Sequence, residues 1–279
     1  VLSIFVLGIL ISNVFAQNHE KKFSGWKIAE TEHFDFIFEE SARETTEAYA
    51  KIADEAWNKI GKIYGFPKDK IKVYVTDRTN TVNAFTYFSP LELGMFTTPL
   101  NLIDFGFRTE WKNLFFTHEL IHAANINFED KNYIGQKLFG PIVSSYSMSL
   151  TTPGWALEGL TTVLETELTQ GGRGRSPFFE LMYKAPTLDN SFISYKEIGM
   201  EAEPPAGQSY VMGYLIMRSI ADRYGISSLA DIERNKSFSV DFEKSIYNVT
   251  GETAENIYKD VKIALAKEYS DERKIHEGK

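Results

Sequence analysis

At 279 residues, 43% of them hydrophobic and 14% aromatic, the chain has the material for one large domain or two small ones. A formal net charge of −8, with no cluster of Lys and Arg, argues against nucleic acid as the main partner, because phosphate binding needs concentrated cations. Cysteine is absent, which removes disulfides, thiolate metal ligands and a lipid-bearing cysteine together, so any metal must be held by histidine and carboxylate.

Residues 1–16, VLSIFVLGILISNVFA, form an uncharged apolar run ending in Val14-Phe15-Ala16, the small or β-branched pattern that a signal peptidase reads. The run falls short of the roughly 20 apolar residues of a membrane span, so the expectation is a signal peptide cut before Gln17 and an exported, periplasmic or secreted protein. A membrane becomes a partner only if that segment stays uncleaved. The chain opens on Val and lacks a basic leading segment, which points to a start upstream of residue 1.

Phe34-Asp35-Phe36-Ile37-Phe38 alternates with the period of a half-buried strand. Residues 42–64 repeat Ala, Ile, Trp and Tyr at helical intervals and stop at Gly65, a helix C-terminal signal. Further strands are expected over 71–75, 83–88 and 93–97, the last two joined through Ser89-Pro90. From Thr109 the texture is helical, with segments near 109–126, 154–168, 207–224, 238–248 and 253–275. Asn127 to Pro153 reads as the longest irregular stretch. The class expected is α+β, a small mixed sheet with a helix followed by a mostly helical half. Residues 17–279 form one domain in this reading, with an α/β part over about 25–126 and a helical part over about 127–275.

Within FFTHELIHAANI, residues 115–126, His118 and His122 lie four apart and share a helix face, while Glu119 sits about 100° round the axis. Two ring nitrogens can meet one ion there and the glutamate can reach the ion's open side. The same pattern also fits two histidines packed and hydrogen-bonded in a core. A catalytic zinc needs a third protein ligand, and TTPGWALEGLTTVLETEL offers Glu158 on a helix opened by Pro153. A carboxylate in the first turn that merely complements the helix dipole is the alternative. Glu165, seven residues on, lies on the same face and can accept the second N–H of a ligating histidine, or stand as a solvated glutamate.

HELIHA followed by PGWALEGLTTVLETE resembles the gluzincin metallopeptidases, and more closely the peptidase MA-like domains of exported bacterial proteins, which are often followed by a TolB-like propeller. The likeness covers roughly residues 30–270 and centres on 115–165. It implies a zincin-like fold with the active-site helix between the two halves, one zinc ion held by His118, His122 and Glu158, Glu119 as catalytic base, and a peptide or protein substrate. It also leaves room for a propeller beyond Lys279. GQSYVMGYLIMRSIADRYG is similar to the Tyr-x-x-Gly helix start of aminopeptidase-like relatives, which places Tyr210 at the oxyanion. Position alone equally suits an aromatic capping a core helix, and Tyr214 is a rival for the role.

Asn83-Ala84-Phe85 is expected as the sheet edge along which an extended substrate pairs its backbone. Arg173 and Arg175, in QGGRGRS, form an exposed pair or meet an acidic group or product carboxylate. The Gly-x-Met-Glu-Asn element that holds a free amino terminus in aminopeptidases is missing, LELGMFTTP being the nearest text. The function expected is an exported zinc metallopeptidase, and the alternative is a metal-stabilised binding or scaffold module of a larger envelope protein. An intact Glu119 favours the enzyme, since a structural site has no use for a base.

Overall fold

A computed structural model describes residues 25–65, 70–88, 90–99, 111–126, 152–199, 208–236 and 240–277. The apolar run 1–16 and most of the stretch 127–153 lie outside the described residues. The fold is α+β, as the sequence pattern predicts. Five strands, β1 (Lys27–Glu30), β2 (Phe34–Phe38), β3 (Ile71–Thr76), β4 (Ala84–Phe88) and β5 (Leu91–Phe96), form one sheet in the order β1-β2-β3-β5-β4. β2, β3 and β5 run parallel, while β1 and β4 are antiparallel edge strands.

Strand alternation decides which side chains enter the core. Phe34, Phe36 and Phe38 of β2, Ile71, Val73 and Val75 of β3, and Leu93 and Met95 of β5 are all buried. Helix α1 (Arg43–Tyr64) lays Tyr49, Ala53, Ala56, Trp57, Ile60 and Tyr64 into that core at intervals of three and four. Helix α2 (Trp111–Ile126) packs against α1 and β4, and its Phe116 meets Phe34 and Tyr49 at ring-centroid distances of 5.3 and 5.9 Å. These aromatic contacts fix how α2, which carries the histidines, sits on the sheet.

The helical half comprises α3 (Gly154–Leu168), α4 (Pro177–Leu188), α5 (Gln208–Tyr224), α6 (Ser227–Asn235), α7 (Phe242–Thr250) and α8 (Ala254–Glu277). α3 and α5 make the most extensive helix pair among the described elements. Two glycines make this possible: a Cβ on Gly159 would lie 2.2 Å from the Gly213 backbone, and one on Gly213 would lie 2.0 Å from the Trp155 carbonyl oxygen. Backbone touches backbone there, so the residue after Glu158 is pinned one turn away from Tyr210. Strand β1 and helices α4 and α6 were not anticipated as separate elements.

Candidate metal centre

His118 and His122 project from buried turns of α2, and Glu158 reaches them from α3. The two Nε2 atoms are 3.0 Å apart, and Glu158 Oε2 lies 3.4 Å from the first and 3.5 Å from the second. A tetrahedral ion with bonds of about 2.0–2.2 Å holds its ligand atoms about 3.3–3.6 Å apart; both edges to Glu158 have that length, and the 3.0 Å edge between the nitrogens has to open by about 0.3 Å to admit such an ion. Glu158 is the fifth residue of α3, and no acid occupies the first turn, so the dipole explanation for it loses its footing.

The tautomers strengthen the fit. His118 Nδ1 lies 2.7 Å from both Glu165 Oε2 and Arg173 Nη2; with its proton on Nδ1 the ring donates to the carboxylate, which can only accept, and Nε2 presents a lone pair. The Thr161 hydroxyl donates to the Leu157 carbonyl at 2.8 Å, which leaves its oxygen to accept from His122 Nδ1 at 3.3 Å. His122 Nε2 is therefore bare as well. Two lone pairs and the buried, hydrogen-bond-free Glu158 Oε2 converge on one point without a donor among them. Such an arrangement is repulsive unless a cation, a proton or a metal ion, sits between them.

Charge and burial oppose each other at these groups. Burial would raise the Glu158 carboxyl, yet His118 and His122, when their rings carry the proton that takes the place of a metal ion, hold it far below the usual carboxylate range. At Glu165 burial again pushes up, and the Arg173 guanidinium, with His118, brings the value down to about 2. Burial and the Arg173 charge lower the His118 imidazole, but Glu158 and Glu165 outweigh them and raise it to about 9 in the metal-free chain.

Glu119 stands apart from the triangle, on the wall of a pocket of about 340 Å³ that also holds His118, His122, Glu158, Arg173 and Tyr210. The Thr86 hydroxyl of β4 lies 2.8 Å from Glu119 Oε2 and 2.9 Å from the Glu119 carbonyl oxygen. Tyr210 faces Glu158, and burial, followed by the charge of Glu158, pushes its hydroxyl well above the ordinary tyrosine range. Tyr214 does not line the pocket. Its hydroxyl packs against Gly174 and its ring against Phe179, at 5.4 Å between centroids.

Searches of family profiles, curated proteins and solved structures returned no match to this chain.

Asn83, Ala84 and Phe85 line the same pocket at edge strand β4. The Asn83 carbonyl accepts from Phe96 N–H at 3.3 Å, so with Phe85 opposite Gly94 the alternation of an antiparallel ladder turns the backbone groups of Ala84 and Thr86 to the open edge. Asn83 Oδ1 accepts the Ala84 N–H at 2.9 Å and covers that first position. Sequence reasoning passed over Thr86 and Thr161, each of which bonds one of the motif residues. Arg173, expected in an exposed loop pair or as the partner of an acid, is mostly buried against Glu165, while Arg175 is exposed and donates to the Thr166 carbonyl at 2.5 Å. A buried pair, Lys236 with Glu233, also bonds Thr152 and so tethers the chain just ahead of α3.

Proposed function

We propose that this chain is a zinc-dependent metallopeptidase of gluzincin type that hydrolyses peptide bonds in an extended peptide or unfolded protein substrate. The observation that carries the proposal is the convergence of His118 Nε2, His122 Nε2 and Glu158 Oε2, with no donor between them, beside a separate carboxylate, Glu119. A zinc ion in that triangle would lower the pKa of a coordinated water toward about 7 and polarise the scissile carbonyl.

The protein's own groups divide the remaining work. Glu119 takes the proton of the attacking water and returns it to the leaving amine, and the Thr86 hydroxyl holds Oε2 in the orientation for that transfer. Tyr210 supplies a hydroxyl donor for the negative charge that develops on the carbonyl oxygen. The outward backbone groups of β4 pair with an extended substrate and align it past Glu119. The uncharged apolar run 1–16 supports an exported location.

Glu119→Gln tests the reading, because it leaves the three ligand atoms in place and removes the proton acceptor. The expected result is about one zinc per chain together with hydrolysis of unfolded casein reduced by several orders of magnitude. Undiminished hydrolysis would overturn the role of Glu119. A zinc-loaded parent protein without hydrolytic activity would favour a metal-stabilised scaffold instead.

A further inference from the structure

Arg173 makes more contacts within the site than any role assigned so far requires. It opens the 3-10 turn Arg173–Arg175 that follows α3. Gly172 ahead of it lies so close to α3 that a Cβ would stand 2.1 Å from the Thr166 backbone, and this contact brings the turn back over Glu165. Three N–H groups of one residue then converge on one carboxylate. The Arg173 backbone N–H and Nε donate to Glu165 Oε1 at 3.0 and 2.8 Å, and Nη2 donates to Oε2 at 2.9 Å. The guanidinium, bound to Glu165 along its edge, also lies over the Tyr210 ring, with Cζ 4.8 Å from the ring centroid.

Glu165 Oε2 is also the acceptor for His118 Nδ1, and Arg173 Nη2 is 2.7 Å from that nitrogen. Both groups are donors, so they meet at the shared oxygen rather than bond each other. The fork leaves the carboxylate one orientation, and the orientation of the carboxylate sets that of the His118 ring. We propose that Arg173 is a positioning residue, which locks Glu165, aims His118 Nε2 at the metal position and supports the Tyr210 ring from the same guanidinium. The inference rests on the metal reading above. A lysine at 173 would keep the charge but, as a point donor, could not hold both oxygens.

The test measures zinc affinity of the folded chain by competition with a chromophoric chelator for the parent, Arg173→Lys, Arg173→Gln, Glu165→Gln and the Arg173→Lys/Glu165→Gln double variant. Circular dichroism confirms folding of each metal-free protein. The expected result is a loss of about 10–100-fold in affinity for each single variant, with the double variant no weaker than the weaker of its two singles, because both changes break one chain of contacts. A folded Arg173 variant with parental affinity, or losses that multiply in the double variant, would overturn the proposal. So would unfolding of both Arg173 variants beside a folded Glu165→Gln, since Arg173 would then act on the fold and not through Glu165. A parent chain that takes up no zinc would instead remove the metal reading itself.

Discussion

The hydroxyl of Thr86 sits 2.8 Å from Oε2 of Glu119, a bond across 33 positions of sequence that ties the edge strand of the sheet to the motif helix. A hydrogen bond to a charged group contributes about 1.5–3 kcal/mol. Thr86→Val should therefore lower kcat by about 10- to 100-fold while leaving zinc content and KM close to the parent's. Steady-state kinetics with elemental analysis checks this, and an unchanged kcat would show that Glu119 needs no such steering.

Tyr210 and Tyr214 separate by the same kind of measurement. Tyr210 shares the pocket with Glu119 and Glu158, whereas Tyr214 packs against Gly174 and Phe179. Removing an oxyanion donor costs about 10²–10³ in rate. Tyr210→Phe should show that loss in kcat with zinc affinity intact, and Tyr214→Phe should retain parental turnover. The reverse pattern would hand the role to Tyr214.

The contact of Gly159 with Gly213 sets where Tyr210 stands relative to Glu158. Gly213→Ala would force a methyl group to within 2.0 Å of the Trp155 carbonyl oxygen, which α3 and α5 can relieve only by moving apart. Overpacking of this kind costs about 1–3 kcal/mol or more. A lower denaturation midpoint together with weaker zinc binding is expected. Parental values for both would mean that the helices are not in backbone contact.

In the metal-free protein His118 has a sign that pH can read. Its folded-state value, about 9, lies above the ordinary 6.5, so the stability it contributes is complete below pH 6.5 and is lost as pH rises through 9. Glu165, held at about 2, behaves oppositely: its contribution is present above the ordinary 4.5 and disappears as pH falls through 2. Urea midpoints in the presence of a chelator should decline from pH 6.5 to 9, and His118→Gln should remove that part of the decline. Zinc affinity should climb over the same interval, because the metal displaces the His118 proton. A zinc affinity independent of pH between 6.5 and 9 would contradict the assignment.

Much of the fold was legible because it depends on local periodicity. The apolar repeats of α1 and α3 and the alternation of β2 and β3 place those elements within a residue or two of where they lie. β1 escaped because KIAE is a short edge strand with exposed residues and no alternation to detect. α4 escaped because its apolar side chains are split between core and solvent: Phe179 is buried and Met182 and Tyr183 pack beside it, so no single apolar stripe marks the helix. Phe178, Leu181 and Leu188 are exposed and Pro186 lies inside the helix, although Ser176 as N-cap and Pro177 after it were available as a start signal.

Within the site, the histidine pair and Glu119 come from one helical turn, and Glu165 follows from a seven-residue spacing, so sequence reasoning reached them. Thr86 and Thr161 act through single hydroxyls whose partners lie 33 and 39 positions away, and nothing in their local pattern marks them. Arg173 carried a readable clue in Gly172 before it, whose lack of a side chain allows the turn to close onto α3.

The central claim is that three side chains from α2 and α3 hold one metal ion. Elemental analysis of the purified chain, set beside Glu158→Ala, tests it most directly. The account expects about one zinc per parent chain and loss of zinc from the variant, with the metal-free variant still folded. A parent chain that binds no zinc when supplied with it, or a Glu158→Ala variant that holds zinc as tightly as the parent, would contradict it.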